Sequence, residues 1–456
     1  MSHIPLRGRR IVTAAVAVGT LAVSAACSDP TSGQDASGKT TITVALAANP
    51  QMETAESLIS DFEKKNPGIK VKFTTLPEND LRPAVTKDVA TKAGQYDVAM
   101  IGSYEVPIWA KNGWIVPLDS YVAKDAAWDS ADVLKPIKAI VSADGKLYGA
   151  PFYGSSSFLF YRKDLAKKAG VTIPEKPTWD QIAVDAAKMD DKKGGVSGIC
   201  LRGLPGWGQN LASLTTVINT FGGRWFDENW NPQLTSPATK KAVQFYVDLL
   251  RAHGQPDAAK DGWEGCLQQI TQGKTAMWYD DTVFAGPVLQ EATSAVKNNI
   301  GFALAPVEKT DASGWLWSWG LGITASSKHK DAAWKFISWA TSKEYIKLAG
   351  AKAGWDSIPP GSRTSTYSIP QYQAAAKSYA DLTLKSIDAA NPEKPTVDPV
   401  PYTGVQYVQI PEFTDIGDYV SQQVAGAIAG TQSVDQALKK SQSYSEGVVK
   451  KAGYLK

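Results

Sequence analysis

The chain has 456 residues, 43% hydrophobic and 20% charged, and its 48 basic and 45 acidic side chains leave a formal charge of +3. That length exceeds one small core and suggests two or three domain-sized units, while the near balance of charge removes the electrostatic case for a nucleic-acid partner. Three scattered histidines and three cysteines without a CxxC spacing give a metal site or a histidine-based triad nothing to build on, so no metal is expected; the outlier is tryptophan, 15 in all.

The first 26 residues read as an export signal. Arg7, Arg9 and Arg10 precede 16 uncharged residues, 11–26, fewer than the ~20 a spanning helix needs. Ser24-Ala25-Ala26-Cys27 then leads into the polar run SDPTSGQDASGKT, and 27–39 reads as a flexible tether. Small residues before one cysteine resemble a bacterial lipoprotein signal. That resemblance implies Cys27 as the lipidated first residue, held on the outer face of the cytoplasmic membrane by lipid alone. Ser24 departs from the pattern, where leucine or valine is more usual. The Arg9-Arg10 pair leaves Sec and twin-arginine export both open.

TITVALAAN, residues 41–49, is a strand-like apolar run. Ala55, Leu58, Ile59 and Phe62 follow at helical spacing within 53–65, and Asn66-Pro67-Gly68 stops that helix. IKVKFTTLP alternates as a second strand, 79–93 reads as a helix, and YDVAMIG (96–102) reads as a buried strand. The β-α-β-α-β order predicts a parallel sheet with helices on its faces. Ligands in such sheets bind beyond the C-terminal strand ends. Here those ends are Asn49-Pro50-Gln51, Leu76-Pro77-Glu78-Asn79 and Gly102-Ser103-Tyr104-Glu105.

DGKLYGAPFYGSSSFLFYRKD, residues 144–164, runs extended and is long enough to cross between two lobes. Helical patterns follow near 178–189, 208–220, 236–252 and 263–272, with strand-like pieces at 198–202, 275–280 and 300–306. Next comes SGWLWSWGLGI, in which Trp315, Trp317 and Trp319 stand two apart and would share one face of a strand. Helices resume at 330–342, 371–390, 410–428 and 434–450. No single low-complexity linker interrupts the mature chain, which fits two α/β lobes joined by several crossings. Cys200 and Cys266 can pair in an oxidising exterior, but their spacing does not show that they are close.

Several stretches, in this order, carry a resemblance. FEKKNPGIKVKF, ATKAGQYDVAMIG, the crossing segment, QGKTAMWYDDT and WSWGLGITASSKHKDAAWKFISW follow the lipoprotein-like signal. Together they resemble the extracellular solute-binding proteins of ATP-driven sugar importers, the class that includes maltose-binding protein. LPENDLRPAVTKDVATKAGQYDVAMIGSYEVPIWAKNGW and PYTGVQYVQIPEFTDIG are most similar to its sorbitol/mannitol branch. The resemblance implies a two-lobed clamp of the type II periplasmic-binding fold, closing on one small ligand and docking on a membrane permease, with no cofactor and no catalytic residue. It implies a first lobe of 40–152 plus 305–345 and a second of 153–304 plus 346–456, working as a monomer.

A polyol presents C–H surface for aromatic rings and hydroxyls for carboxylates, amides and arginine. The candidates at the strand ends are Asn49, Gln51, Asn79, Arg82, Tyr104 and Glu105. Asn79 competes as a helix cap and Glu105 as a helix N-terminal charge. The crossing offers Tyr153, Ser155 and Ser156, and Trp207 sits in a Gly-Pro loop poor in regular packing. Of Asp280 and Asp281, one suits a helix cap and Asp280 is preferred as the hydroxyl acceptor. Trp319 and Trp317 are expected as stacking platforms, with Trp315 in the core or at the rim. Trp355 and Arg363 lie in a Pro/Gly-rich loop that the resemblance turns back into the cleft. The predicted function is capture of a sugar alcohol or related monosaccharide for delivery to the permease. A hexose or oligosaccharide ligand, a sensor partner, and a secreted carbohydrate-active enzyme are the alternatives.

Overall fold

The computed structural model describes residues 38–290, 294–359 and 361–455. The export signal and Cys27 lie outside these residues. Ten strands run in chain order: β1 (Thr40–Ala47), β2 (Ile69–Leu76), β3 (Val98–Gly102), β4 (Ser142–Ala143), β5 (Lys146–Leu147), β6 (Ala150–Ser155), β7 (Ser157–Arg162), β8 (Met277–Asp281), β9 (Ile300–Leu304) and β10 (Trp317–Ile323).

Two sheets, one per lobe, organise the molecule. The first has the order β2-β1-β3-β10-β6. β1 lies parallel to β2, from Thr40 opposite Ile69 to Ala47 opposite Leu76, and parallel to β3, as the β-α-β-α-β pattern predicts. β10 returns from far along the chain and enters antiparallel between β3 and β6. The second sheet, β8-β7-β9, is antiparallel throughout. β6 and β7 are separated by Ser156 alone, so the chain passes from one lobe to the other at that residue.

β3, β6, β8 and β10 are buried at every position. Burial on both faces is why β3 reads as a continuous apolar run. In the first lobe Phe62 meets Phe336 and Trp339. In the second, Phe160 stacks on Trp278 and packs edge-on against Phe302.

Some elements differ from expectation. The first helix is two, Pro50–Ser57 and Ile59–Lys65, broken at Leu58, whose backbone leaves the helical region. The 371–390 pattern likewise splits into Pro370–Ala375 and Ala380–Ala389. Segment 198–202 is not a strand but touches the second sheet through an isolated bridge, Cys200 to Trp278. Trp315 precedes β10, so only Trp317 and Trp319 belong to that strand. Cys200 and Cys266 form a disulfide with Cα atoms 5.6 Å apart. It ties segment 198–202 to the helix Trp263–Thr271. Among the described residues no helix is long and apolar enough to cross a membrane.

Candidate ligand-binding site

The three parallel strands deliver their C-terminal ends to one place. After β1, Asn49 caps the helix Pro50–Ser57, its Oδ1 accepting from the Met52 amide at 2.9 Å. The amide NH2 of Asn49 is thereby left for the cavity it lines. After β2, the helix Glu78–Thr91 places Arg82 one turn from Glu78, and Arg82 Nη2 and Nε donate to Glu78 Oε1 at 2.8 and 3.1 Å. After β3, Glu105 opens the helix Glu105–Lys111 and also accepts from Arg82. Burial alone would lower the Arg82 pKa; the charges of Glu105 and Glu78 outweigh it and hold the pKa above its usual value.

β10 adds the indoles. Trp319 sits opposite Gly102 on β3 and Tyr153 on β6. A side chain at Gly102 would put its Cβ 2.4 Å from the Trp317 ring, so glycine there makes room for that indole. Arg82 Cζ lies 4.6 Å from the Trp319 ring centroid, 5.3 Å from Trp317 and 4.2 Å from Trp207, which comes from the other lobe. A guanidinium over indole faces gains a cation–π attraction that strengthens as water is excluded.

The second lobe closes the wall with Arg202, Trp207, Trp263, Asp281 and Phe284. Gly208 approaches the first lobe so closely that an added Cβ would lie 2.5 Å from Glu78 Oε1. Asn79 Nδ2 donates to Pro205 O at 3.2 Å and Gln51 Nε2 to Val283 O at 3.2 Å, both across the gap. The lobes are therefore in contact around a cavity of about 50 Å³. A space of that size suits a short solute.

The two neighbouring aspartates have separate roles. Asp280 is fully buried and accepts from Arg202 Nε at 2.8 Å, from Arg202 Nη2, and from Trp278 Nε1 at 3.0 Å. It is the counter-ion of Arg202 and not a free acceptor, which corrects the preference for Asp280 over its neighbour. Asp281 lines the cavity and accepts from Ser155 Oγ at 2.9 Å and from the Val283 amide at 2.8 Å. Burial pushes its carboxyl up to about 7 against those two hydrogen bonds; Asp280 adds to the rise and Arg202 opposes it. Burial also raises the Tyr153 hydroxyl well above its usual range, so that residue presents a neutral hydroxyl.

Of the sequence candidates, Asn49, Arg82, Tyr153, Trp207, Trp317 and Trp319 lie on the cavity wall. Glu105, Ser155, Gln51 and Asn79 stand behind it, holding Arg82, Asp281 and the contacts between lobes. Tyr104 packs its ring 4.6 Å from Trp207 and donates its hydroxyl to Ile410 O at 2.8 Å. Ser156 is buried at the crossing, its amide donating to Thr282 Oγ1. Two candidates lie elsewhere. Trp355 packs against Gly350, where its ring occupies the space a Cβ would take. Arg363 is 1% exposed and donates to the carbonyls of Thr341, Asp129 and Trp128. It fastens the first lobe internally instead of clamping a hydroxyl.

Glu78, Arg202, Trp263, Asp281, Phe284, Trp315 and Gln406 also line the cavity. Gln406 had a weak signal, one of two glutamines inside PYTGVQYVQI. Arg202 had none, since its partner Asp280 stands 78 residues away.

The profile of the bacterial extracellular solute-binding proteins matches residues 48–347. A mannitol-binding protein of Pseudomonas aeruginosa is 43% identical over 92% of this chain and 96% of its own. An ABC transporter solute-binding protein of Agrobacterium vitis, solved with bound D-mannitol, is 53% identical, with a TM-score of 0.89 over 91% of this chain and all of that one. One from Agrobacterium radiobacter in complex with ribitol is 26% identical, with a TM-score of 0.80 over 90% of this chain and 98% of that one.

Proposed function

The chain belongs to the bacterial extracellular solute-binding proteins, and on that premise we propose that it captures an acyclic sugar alcohol of hexitol size, D-mannitol first, for an ABC importer. The family binds and releases its solutes, so the chain is a binding protein and not an enzyme.

The observation that carries this reading is the small cavity between the lobes, walled by indoles and bordered by Arg82, Asn49, Asp281 and Gln406. Indoles cover C–H surface, and the polar groups at the edges exchange hydrogen bonds with hydroxyls. The mannitol-binding relative and the mannitol-bound neighbour support the hexitol within the class.

Titration calorimetry with D-mannitol, D-sorbitol, ribitol, D-mannose and maltose tests this. Binding of one hexitol per chain, tighter than the pentitol and the ring sugar, is expected, with no heat from maltose. A preference for maltose overturns the reading.

Three finer points belong to the same proposal. Cys27 carries the lipid anchor, supported by the small residues before it, and the chain works as a monomer that meets the permease when closed. The first lobe takes 40–155 plus a return segment. The helices Lys330–Ala340 and Lys343–Ala353 pack on that lobe, which supports carrying the return past 345 to about 353.

A further inference from the structure

Two residues lining the cavity each carry a buried polar atom with no protein partner, and the two atoms are of opposite kind. Gln406 is 4% exposed and its Oε1 accepts from nothing; Trp315 is 2% exposed and its Nε1 donates to nothing. Both residues line the cavity. The amide of Gln406 is fixed in orientation, because its Nε2 donates to Leu316 O at 3.1 Å and a carbonyl can only accept. Oε1 is therefore an acceptor. That bond also anchors the Gln406 amide on the backbone directly after Trp315. Trp315 is held as well: its amide donates to Ser157 Oγ at 3.3 Å, and Arg202 Cζ lies 5.4 Å from its ring.

A buried donor or acceptor left unmade costs about 1–3 kcal/mol, so such atoms in a native structure call for a partner. A hydroxyl both donates and accepts, which suits this pair; a methylene suits neither.

We infer that Gln406 and Trp315 are specificity-determining residues, Gln406 accepting from and Trp315 donating to hydroxyls at one end of the bound polyol. The inference rests on the polyol reading and adds which groups reject a deoxygenated ligand. A site whose buried groups must be matched discriminates against the analogue lacking the hydroxyl far better than an apolar pocket does.

The test measures dissociation constants of D-mannitol and a series of monodeoxy hexitols for the wild type, Gln406→Met and Trp315→Phe. The second variant keeps an aromatic ring and removes the N–H. The wild type should weaken for each deoxy ligand. In each variant D-mannitol should bind about ten- to a hundredfold more weakly. Discrimination should collapse at one hydroxyl position, the same or adjacent in the two variants, and persist elsewhere. A variant that weakens every ligand by one common factor, or leaves mannitol affinity unchanged, overturns the assignment for that residue. If Gln406→Met does not fold, Trp315→Phe decides. A wild type that binds no hexitol defeats the polyol reading itself, a result visible before any variant is made.

Discussion

Arg82 and Arg202 both face the cavity and both sit over indoles, Arg202 buried and Arg82 nearly so, yet they are neutralised differently. Arg202 has one carboxylate, Asp280, gripped by two of its nitrogens, and the Gly208 carbonyl; these partners all belong to the second lobe. Arg82 has two carboxylates from its own lobe, Glu78 and Glu105, but the ring closest to it, Trp207, comes from the opposite lobe. The Arg202–Asp280 ion pair survives any separation of the lobes, although the indole beneath Arg202, Trp315, lies on the return segment. The Arg82 cluster is complete only when they meet, because opening returns its charges to water. One is part of a lobe's interior and the other is part of the closure.

Removing Asp280 should break the comparison most strongly. Asp280→Ala leaves the Arg202 charge buried without a partner, and loss of one member of such a pair costs about 3–5 kcal/mol. Thermal melts of the unliganded protein should fall accordingly, with ligand binding lost as a secondary effect. The disulfide supports the same region, since Cys200 lies two residues before Arg202 and Cys266 is on the helix that begins with Trp263. Cys200→Ala/Cys266→Ala should cost about 2–4 kcal/mol in the unliganded melt. An unchanged melt would show that the cluster holds without its tie.

Arg82→Met should behave in the opposite sense. Hexitol affinity should drop by about 2–3 kcal/mol, read by calorimetry, through loss of charge-assisted and cation–π contacts. The unliganded melt should move little, because Glu78 and Glu105 are rehydrated in the open protein. Equal losses in both measurements would erase the distinction between the two clusters.

A pH dependence at Asp281 sharpens the comparison further. Its folded pKa, about 7, lies above the ordinary 3.8. The folded chain therefore holds a proton that the unfolded chain releases. The associated stability is full below about 3.8 and is lost as pH rises through about 7. Asp281→Asn should match the wild type near pH 4 in unliganded melts and exceed it at pH 8.

The parallel half of the first sheet was legible because each strand there is followed by its own helix within thirty residues or so, and local periodicity carries that order. The cavity was legible where it borders those strand ends, at Asn49 and Arg82. It was not legible where a side chain's fate depends on a distant partner. Asp280 and Asp281 are chemically alike and adjacent; Arg202, 78 residues from Asp280, separates them. Arg363 and Arg82 each sit near a turn, and only the carbonyls of Thr341, Asp129 and Trp128 around Arg363 identify it as internal bracing. Trp315, two residues before β10, lines the cavity although the strand does not include it.

The late arrival of β10 between β3 and β6 bears on how such a chain matures. Emerging N-terminus first, it presents three parallel strands with an unpaired flank until residues 317–323 appear, and β6 has no neighbour in that sheet before then. An open strand flank invites pairing with other chains. Assembly of the first lobe is therefore postponed until most of the polypeptide is available, and a fragment ending before residue 317 should aggregate instead of yielding a free-standing half.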